Sequence, residues 1–259
     1  MGIGLDAVTA LSPAGDSRAG EVLRLRREIS RMQRRRSDLP LLPLDPALTA
    51  ILPDEGLQAG TAYTVSSSPS LVLALLSAAS QKGLWCAVIG MPTLGVEAAA
   101  AFGIDLSRLI LVPEPGERWM AVTSALSEVV PLIAVHPGGR MRDADVSRLN
   151  ARLRDRGCTL LVTAAWPQSE GTIRVHDPHW HGLGAGWGLL SDCTVTVTAQ
   201  TRHMPVPSSV RVRLPGSQGA IEPVAAELTA LPSLTDTPSS LPAETAARPV
   251  EISRWAAAG

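Results

Sequence analysis

The chain has 259 residues, of which 45% are hydrophobic, and a formal net charge of −1 at pH 7. The length predicts one medium-sized domain with appendages, and the composition excludes a globally disordered chain. The charge excludes a protein drawn to nucleic acid by its net charge alone. Residues 1–20 show no signal-peptide pattern, and no apolar run reaches the ~18 residues of a membrane span, so we expect a cytoplasmic protein. Three cysteines without a CxxC pair are expected to be buried, reduced thiols: Cys86, Cys158 and Cys193.

Residues 1–40 are predicted to form a basic amphipathic helix and a linker. The helix spans residues 18–36, and its apolar side chains recur at helical spacing on one face: Val22, Leu25, Ile29 and Met32. This stripe packs either on the protein's own core or on a partner, and both alternatives stay open. Arginines flank it and are candidates for DNA phosphate contact: Arg24, Arg27, Arg31, Arg34, Arg35 and Arg36. A proline-punctuated linker is predicted from Ser37 to Pro46.

Residues 41–215 are predicted to form an α/β core. After a short helix near residues 48–52, apolar strands alternate with helices, which predicts a mainly parallel sheet covered on both faces. The strands are expected at 61–65, 84–89, 109–112, 132–135 and 159–163, and the helices at 71–79, 94–102, 119–129 and 145–156. Residues 194–198 and 210–214 alternate with period two and predict an antiparallel extension at one edge. Residues 216–259 are predicted to be a Pro/Ala-rich flexible tail.

The first strand, loop and helix of this core stand where a P-loop NTPase binds nucleotide. That site needs glycines, whose backbone N–H groups surround phosphate, and a lysine that reaches the β- and γ-phosphates. Here the loop contains neither: it is Ser66, Ser67, Ser68, Pro69 and Ser70. The one lysine of the chain, Lys82, lies beyond the helix. We interpret the segment as a degenerate P-loop.

The acidic ligand for Mg²⁺ is also missing. The candidate strand at residues 132–135 leads into His136, Pro137, Gly138 and Gly139, with no Asp or Glu at its end. No G-x-S-x-G elbow or other catalytic constellation is present. The sequence therefore predicts a pseudo-ATPase without catalytic residues, metal or cofactor, in which residual ATPase activity stays open.

A histidine cluster offers an alternative site. His176, His179 and His181 with Asp177 resemble metal ligands, but we expect His179 and His181 on opposite faces of a strand and interpret the segment as a surface loop. The glycine-rich segment 182–188 partly matches G-x-G-x-x-G, yet it is not at a first strand-to-helix turn, so we interpret it as a tight or flexible loop.

The predicted helix at residues 145–156 is rich in arginine. Either these arginines contact DNA phosphate or they lie on a solvated surface, and both alternatives stay open. The leading candidates for phosphate contact are Arg152 and Arg156. The full set, which includes one arginine just before the helix, is Arg142, Arg148, Arg152, Arg154 and Arg156. Any such DNA binding would be independent of sequence and sensitive to salt.

Three segments carry a resemblance to a known family. They are LPDEGLQAGTAYTVSSSPSLVLALLSAAS, FGIDLSRLILVPEPGERW and RGCTLLVTAAW, and together with GLGAGWGLLSD they span roughly residues 41–214. With them the chain resembles the ImuA family, the RecA-like accessory proteins of the bacterial mutasome, in its actinobacterial ImuA-prime branch. The resemblance implies a RecA-like P-loop NTPase fold with a degenerate nucleotide site.

The same resemblance implies a function in DNA repair. The protein would act in the SOS response to DNA damage, in translesion synthesis and mutagenesis, through protein–protein interaction. Its partners would be ImuB, an inactive homologue of Y-family polymerases, and indirectly an error-prone replicative-type DNA polymerase, with DNA as a further partner and nucleoid association during the damage response. Three alternatives stay open: an ATPase with an unconventional loop, a division inhibitor like SulA, and a metal-dependent enzyme that uses the histidine cluster.

Overall fold

The computed structural model describes residues 40–184 and 188–224. Eleven strands are defined within these ranges: β1 Leu41–Pro43, β2 Gly56–Gln58, β3 Ala62–Val65, β4 Cys86–Ile89, β5 Leu109–Val112, β6 Leu132–Val135, β7 Thr159–Val162, β8 Gly171–Trp180, β9 Cys193–Thr201, β10 Met204–Arg213 and β11 Glu222–Pro223. The α-helices of the same ranges are α1 Pro69–Gln81, α2 Val96–Ala101, α3 Trp119–Leu126 and α4 Asp143–Arg156. Short 3₁₀ turns lie at Thr49–Ile51, Leu106–Arg108 and Gly116–Arg118.

Nine of the described strands form one mixed sheet. Its order is β11-β10-β9-β8-β3-β7-β6-β4-β5. The six strands from β8 to β5 in this order run parallel to one another. Beyond β8, the sheet is extended by β9, β10 and β11, each antiparallel to the strand before it. The predicted α/β class, the mainly parallel sheet and its antiparallel edge are confirmed.

The parallel half of the sheet is buried on both faces. Strands β4, β6 and β7 are buried along their whole length, and apart from Thr159 their residues are all apolar, as burial on both faces requires. One face packs on α1 and the β1 segment, and the other packs on residues of α3 and α4 such as Trp119, Leu149 and Leu153. This double cover holds the carboxyl ends of the parallel strands in fixed positions.

Helix α1 is apolar on nearly all sides. It begins with Pro69 at its first turn, where the missing proline N–H costs nothing, and Ser68 is its N-cap. Leu71 to Leu76 are all fully or almost fully buried. Because a helix buried all round needs cover on its outer side, the β1 segment packs against it there.

The β1–β2 pair corrects one expectation. Residues 41–43 were predicted as part of a proline-punctuated linker, but they form β1, which pairs antiparallel with β2. Leu42 is buried because α1 offers it an apolar surface. A three-residue strand carries too little local signal to compete with two prolines in a sequence reading.

The sheet also continues into the segment predicted as tail. Strand β11 pairs with Val212 and Arg213 of β10, and Ile221 before it is largely buried. The predicted N-terminal helix at residues 18–36 and the remainder of the predicted tail, residues 225–259, lie outside the described residues.

All three cysteines are buried and free, as expected. Burial raises the pKa of both Cys86 and Cys158 to about 12, because the apolar surroundings disfavour the thiolate. It also raises the pKa of Cys193. Within the described ranges, no helix has the length and apolar character needed to cross a bilayer.

Candidate functional site

A cavity of about 360 Å³ opens at the carboxyl ends of the parallel strands. Its lining includes Ser67, Ser68 and Pro69 after β3, Thr93 in the connection that follows β4, and His136 and Thr163 after β6 and β7. Open α/β sheets bind their ligands at this edge, and this volume is at the lower end for small-molecule pockets. The cavity therefore marks the candidate site, at the position of the degenerate P-loop.

The loop between β3 and α1 closes on itself. The Ser68 N–H donates to the Ser66 carbonyl oxygen at 2.7 Å, and the Ser68 side-chain oxygen accepts the Leu71 N–H at 3.4 Å. The Ser66 hydroxyl oxygen accepts the Val175 N–H of β8 at 3.0 Å. A P-loop instead leaves such N–H groups free to bind phosphate. Here side-chain and backbone oxygens of the loop itself take up part of that donor capacity.

His136 and Thr163 form the polar wall opposite the loop. His136 Nδ1 and Thr163 Oγ1 share a hydrogen bond of 2.9 Å. The two residues follow directly after the neighbouring strands β6 and β7, so parallel pairing brings them together. The imidazole of His136 occupies the position after β6 where an acidic Mg²⁺ ligand would be expected. Among the described residues that line the cavity, none is aspartate, glutamate, lysine or arginine.

Gly90 shapes the same wall. It follows β4, has φ of +75°, and a side chain there would collide with the His136 carbonyl oxygen. Glycine is thus required by both the backbone conformation and the close approach. Neither Gly90 nor Thr163 was expected from the sequence to be a site residue. What the two share, and what could have pointed to them, is that each directly follows a buried parallel strand.

The arginines of α4 lie mostly beside acidic groups. Arg152 and Arg156, the leading candidates for phosphate contact, both approach Glu128, at 3.6 Å and 2.8 Å. Arg148 lies 3.6 Å from Asp145. A groove of about 540 Å³ runs along this side of α4, and its lining contains Glu128 and Asp155 as well as the arginines. The carboxylates offset much of the positive charge that phosphate contact would use.

The histidine cluster lies on a strand, which corrects the interpretation as a surface loop. His176 and His179 are part of β8, where the pairing with β9 shifts register between them and Asp177 has φ of +52°. The rings of His179 and His181 contact each other with centroids 5.2 Å apart, so the two side chains share a face rather than lying on opposite faces. Residues two apart on a strand point the same way, which the sequence reading misjudged.

No group of three or more metal-ligating side chains comes together in the ranges 40–184 and 188–224. The glycine-rich segment from Gly182 connects β8 to β9, and Leu183 and Gly188 form an isolated antiparallel bridge within it. The stripe candidates Val22, Leu25, Ile29 and Met32, and the N-terminal arginines Arg24, Arg27, Arg31, Arg34, Arg35 and Arg36, lie outside the described residues.

The fold is RecA-like. A crystal structure of the RadB recombinase superposes with a TM-score of 0.51, covering 70% of this chain and 97% of the RadB chain. At 16% sequence identity this likeness shows the fold alone. The RecA-like architecture implied by the sequence resemblance is therefore confirmed.

The family is shown by sequence. A family model described as the MT3502 N-terminal domain matches residues 50–168. The Mycobacterium tuberculosis protein Rv3395c, named as uncharacterized, is 31% identical over 163 residues, which are 61% of this chain and 73% of that protein. This chain belongs to the same family as Rv3395c.

Proposed function

We propose that this protein is a non-catalytic accessory factor of the ImuA type, which acts in DNA-damage-induced translesion synthesis by binding an inactive Y-family polymerase homologue, ImuB. In this proposal it supports an error-prone DNA polymerase indirectly. The assignment to the mutasome rests on the sequence resemblance of roughly residues 41–214. The assignment as non-catalytic rests on the chemistry of the cavity.

The observation that carries the non-catalytic assignment is the loop at Ser66 to Pro69. Ser68 caps α1 from within, and Pro69 supplies no N–H at the first helical position. No lysine lies in the loop, and the strand at the expected metal position leads into His136. Phosphate would have to displace the Ser68 cap, a contact worth about 1 kcal/mol, without gaining an ion pair. These features support a fold that is used as a binding surface rather than a motor.

Partner binding is assigned to the apolar stripe of the N-terminal segment, with the arginines around it. Full burial of one aliphatic side chain contributes about 1.5–3 kcal/mol, so four side chains would contribute several kcal/mol before ordering costs. The stripe comprises Val22, Leu25, Ile29 and Met32. In this proposal the degenerate nucleotide site has only a structural role.

Titration calorimetry with Mg-ATP tests the non-catalytic assignment. We expect a Kd weaker than about 1 mM, which corresponds to less than about 4 kcal/mol of binding free energy. The same protein sample is melted before and after the titration to show that it is folded. A Kd in the micromolar range would establish the alternative, an ATPase with an unconventional loop that uses the 360 Å³ cavity.

Co-purification with ImuB tests the partner. The double variant Leu25→Asp and Ile29→Asp should lose the complex and keep the melting temperature of the parent. The matched control is Leu189→Asp with Leu190→Asp, two leucines that are 87% and 54% exposed and should tolerate the change. If the stripe variant melts much earlier and still co-purifies, the stripe belongs to the protein's own core. If the unaltered protein does not retain ImuB, the mutasome assignment is wrong.

A further inference from the structure

Among the described residues, no element covers one polar face of the antiparallel half of the sheet. We infer that this face, formed by β8, β9 and β10, contacts the phosphodiester backbone of duplex DNA. The arginines that carry the contact are Arg174 and Arg211, neither of which was a sequence candidate. The inference goes beyond the proposed function and does not depend on ImuB.

Strand register places these groups on one face. Arg174 of β8 pairs with Thr198 of β9, and Thr198 pairs with Ser209 of β10. In the next row His176 pairs with Thr196, and Thr196 with Arg211. We call this set of six residues the outer face.

Side-chain contacts confirm the shared direction. The hydroxyl oxygens of Thr198 and Ser209 are 2.7 Å apart, and Thr198 Oγ1 lies 3.5 Å from His176 Nε2. The opposite face of the same strands carries Val195, Val197 and Val212, which are buried in the core. Period-two alternation therefore sends every polar side chain of the set away from the core.

The two arginines have free charge. Within residues 40–184 and 188–224, neither Arg174 nor Arg211 has a carboxylate within 4.0 Å, and both are exposed. Arg213 at the end of the same strand differs, because it lies 3.6 Å from Asp192 and 3.8 Å from Glu222. The carboxylate of Asp177 lies 3.7 Å from His176, a member of the outer face.

The spacing suits two phosphates. Arg174 and Arg211 are two strands and one side-chain row apart, which corresponds to about 10 Å across the sheet and about 7 Å along it. They are too far apart to share one phosphate. The hydroxyls of Thr196 and Thr198 lie on the strand between them, and one proton of the Thr198–Ser209 pair is used in their mutual hydrogen bond. Arginine and hydroxyl side chains are the groups that most often contact the DNA backbone.

Other partners fit this face less well. A protein interface needs buried aromatic or aliphatic anchors at its centre, and the outer face has none. A lipid surface would likewise be bound through inserted apolar groups. Single-stranded nucleic acid is held by bases that stack on aromatic rings, and the six residues offer only the His176 ring. Duplex DNA, which presents its phosphates outward, needs neither anchor nor stack.

The test is the affinity of the full chain for a fluorescently labelled duplex of about 20 base pairs, measured by anisotropy between about 50 and 200 mM salt. The double variant Arg174→Glu and Arg211→Glu should bind about tenfold or more weakly. The matched control is Arg118→Glu with Arg140→Glu, two exposed arginines outside the sheet that were not candidates for phosphate contact. It changes the net charge by the same amount and should bind within about threefold of the parent.

A second measurement separates this surface from the N-terminal arginines. Each phosphate contact contributes about −0.9 to the slope of log affinity against log salt for duplex DNA. Replacing Arg174 and Arg211 by Gln should therefore make the slope less steep by about 1.8, whatever other contacts exist. Melting curves of all variants establish that they are folded.

Three outcomes would overturn the inference: a parent protein that does not bind duplex at the lowest salt, an unchanged slope in the Gln variant, or an equal loss in the control variant with Arg118→Glu and Arg140→Glu. Stronger retention of a single-stranded oligonucleotide than of the duplex, with the same dependence on Arg174 and Arg211, would overturn the choice of duplex. None of these results bears on ATP or ImuB, so failure here is distinguishable from failure of the proposed function.

Discussion

The parallel and antiparallel halves of the sheet differ in how their two faces are covered. In the parallel half, β4, β6 and β7 are buried along their length and, apart from Thr159, apolar, since helices or other apolar segments lie on both faces. In the antiparallel half, the central parts of β9 and β10 alternate. Val195, Val197 and Val212 are buried in the core, and Thr, Ser or Arg side chains lie between them on the other face. The first pattern positions a cavity at the strand ends, and the second leaves a polar face that no other described element covers.

The two candidate functional features, the cavity and the arginine-bearing face, also lie in different halves of the sheet. The cavity at the ends of β3, β6 and β7 lacks charged lining, so the feature that defines the fold class contributes little electrostatic attraction. On the antiparallel half, Arg174 and Arg211 have no carboxylate within 4.0 Å among the described residues. A fold with a degenerate ligand site can therefore still offer a binding surface, because that surface does not depend on the strand ends.

The largest effect is expected from truncation in the parallel half. Leu75 of α1 is fully buried, and Leu75→Ala should lower the free energy of unfolding by about 2–5 kcal/mol, through lost burial and the cavity left behind. Chemical denaturation measures this loss. Leu189→Ala is the control, since Leu189 is 87% exposed, and it should stay within about 0.5 kcal/mol of the parent. Similar losses in both variants would contradict the assigned core.

An intermediate effect is expected from reversing the alternation of β9. Val197 faces the core and is fully buried, so Val197→Thr buries a hydroxyl and should cost about 1–3 kcal/mol. Thr196 faces the other way, and Thr196→Val should change stability by no more than about 0.5 kcal/mol. Urea titrations of the two variants compare the faces directly. A larger loss for Thr196→Val than for Val197→Thr would contradict the assigned directions of the two side chains.

The smallest effect is expected in thiol chemistry. The thiolate is the reactive form, and burial raises the pKa of Cys86 and Cys158, both in the parallel half, to about 12. Because their folded-state pKa lies above the unfolded value, their contribution to stability is present below the unfolded pKa and decreases as pH rises toward 12. At pH 8, Cys193, in the half with one open face, should label at least about tenfold faster than either.

Mass spectrometry after timed labelling assigns the sites, and denatured protein supplies the control in which all three cysteines of the chain react. A tenfold ratio corresponds to about 1.4 kcal/mol of difference in local opening or ionisation. Equal labelling rates at the three cysteines would show that the two halves of the sheet open together. The difference in cover between the halves would then not be accompanied by a difference in local opening.

The sequence by itself determined most of the parallel half. Strands β5 and β6 occupy the predicted residues 109–112 and 132–135, and α4 ends at Arg156, where Gly157 takes φ of +67°. These elements are marked locally, by continuous apolar runs and by glycine or proline at their ends. The missing glycines and lysine of the degenerate P-loop are likewise local facts of the sequence.

Only the tertiary structure decided which side chains meet. The pairing of β1 with β2, the contact of His136 with Thr163, and the approach of Arg152 and Arg156 to Glu128 all join residues distant in sequence. The free charge of Arg174 and Arg211 is of the same kind, because it depends on which carboxylates the fold brings near. Periodicity records the environment of each residue along its own strand or helix, whereas partners across a sheet depend on strand order and register.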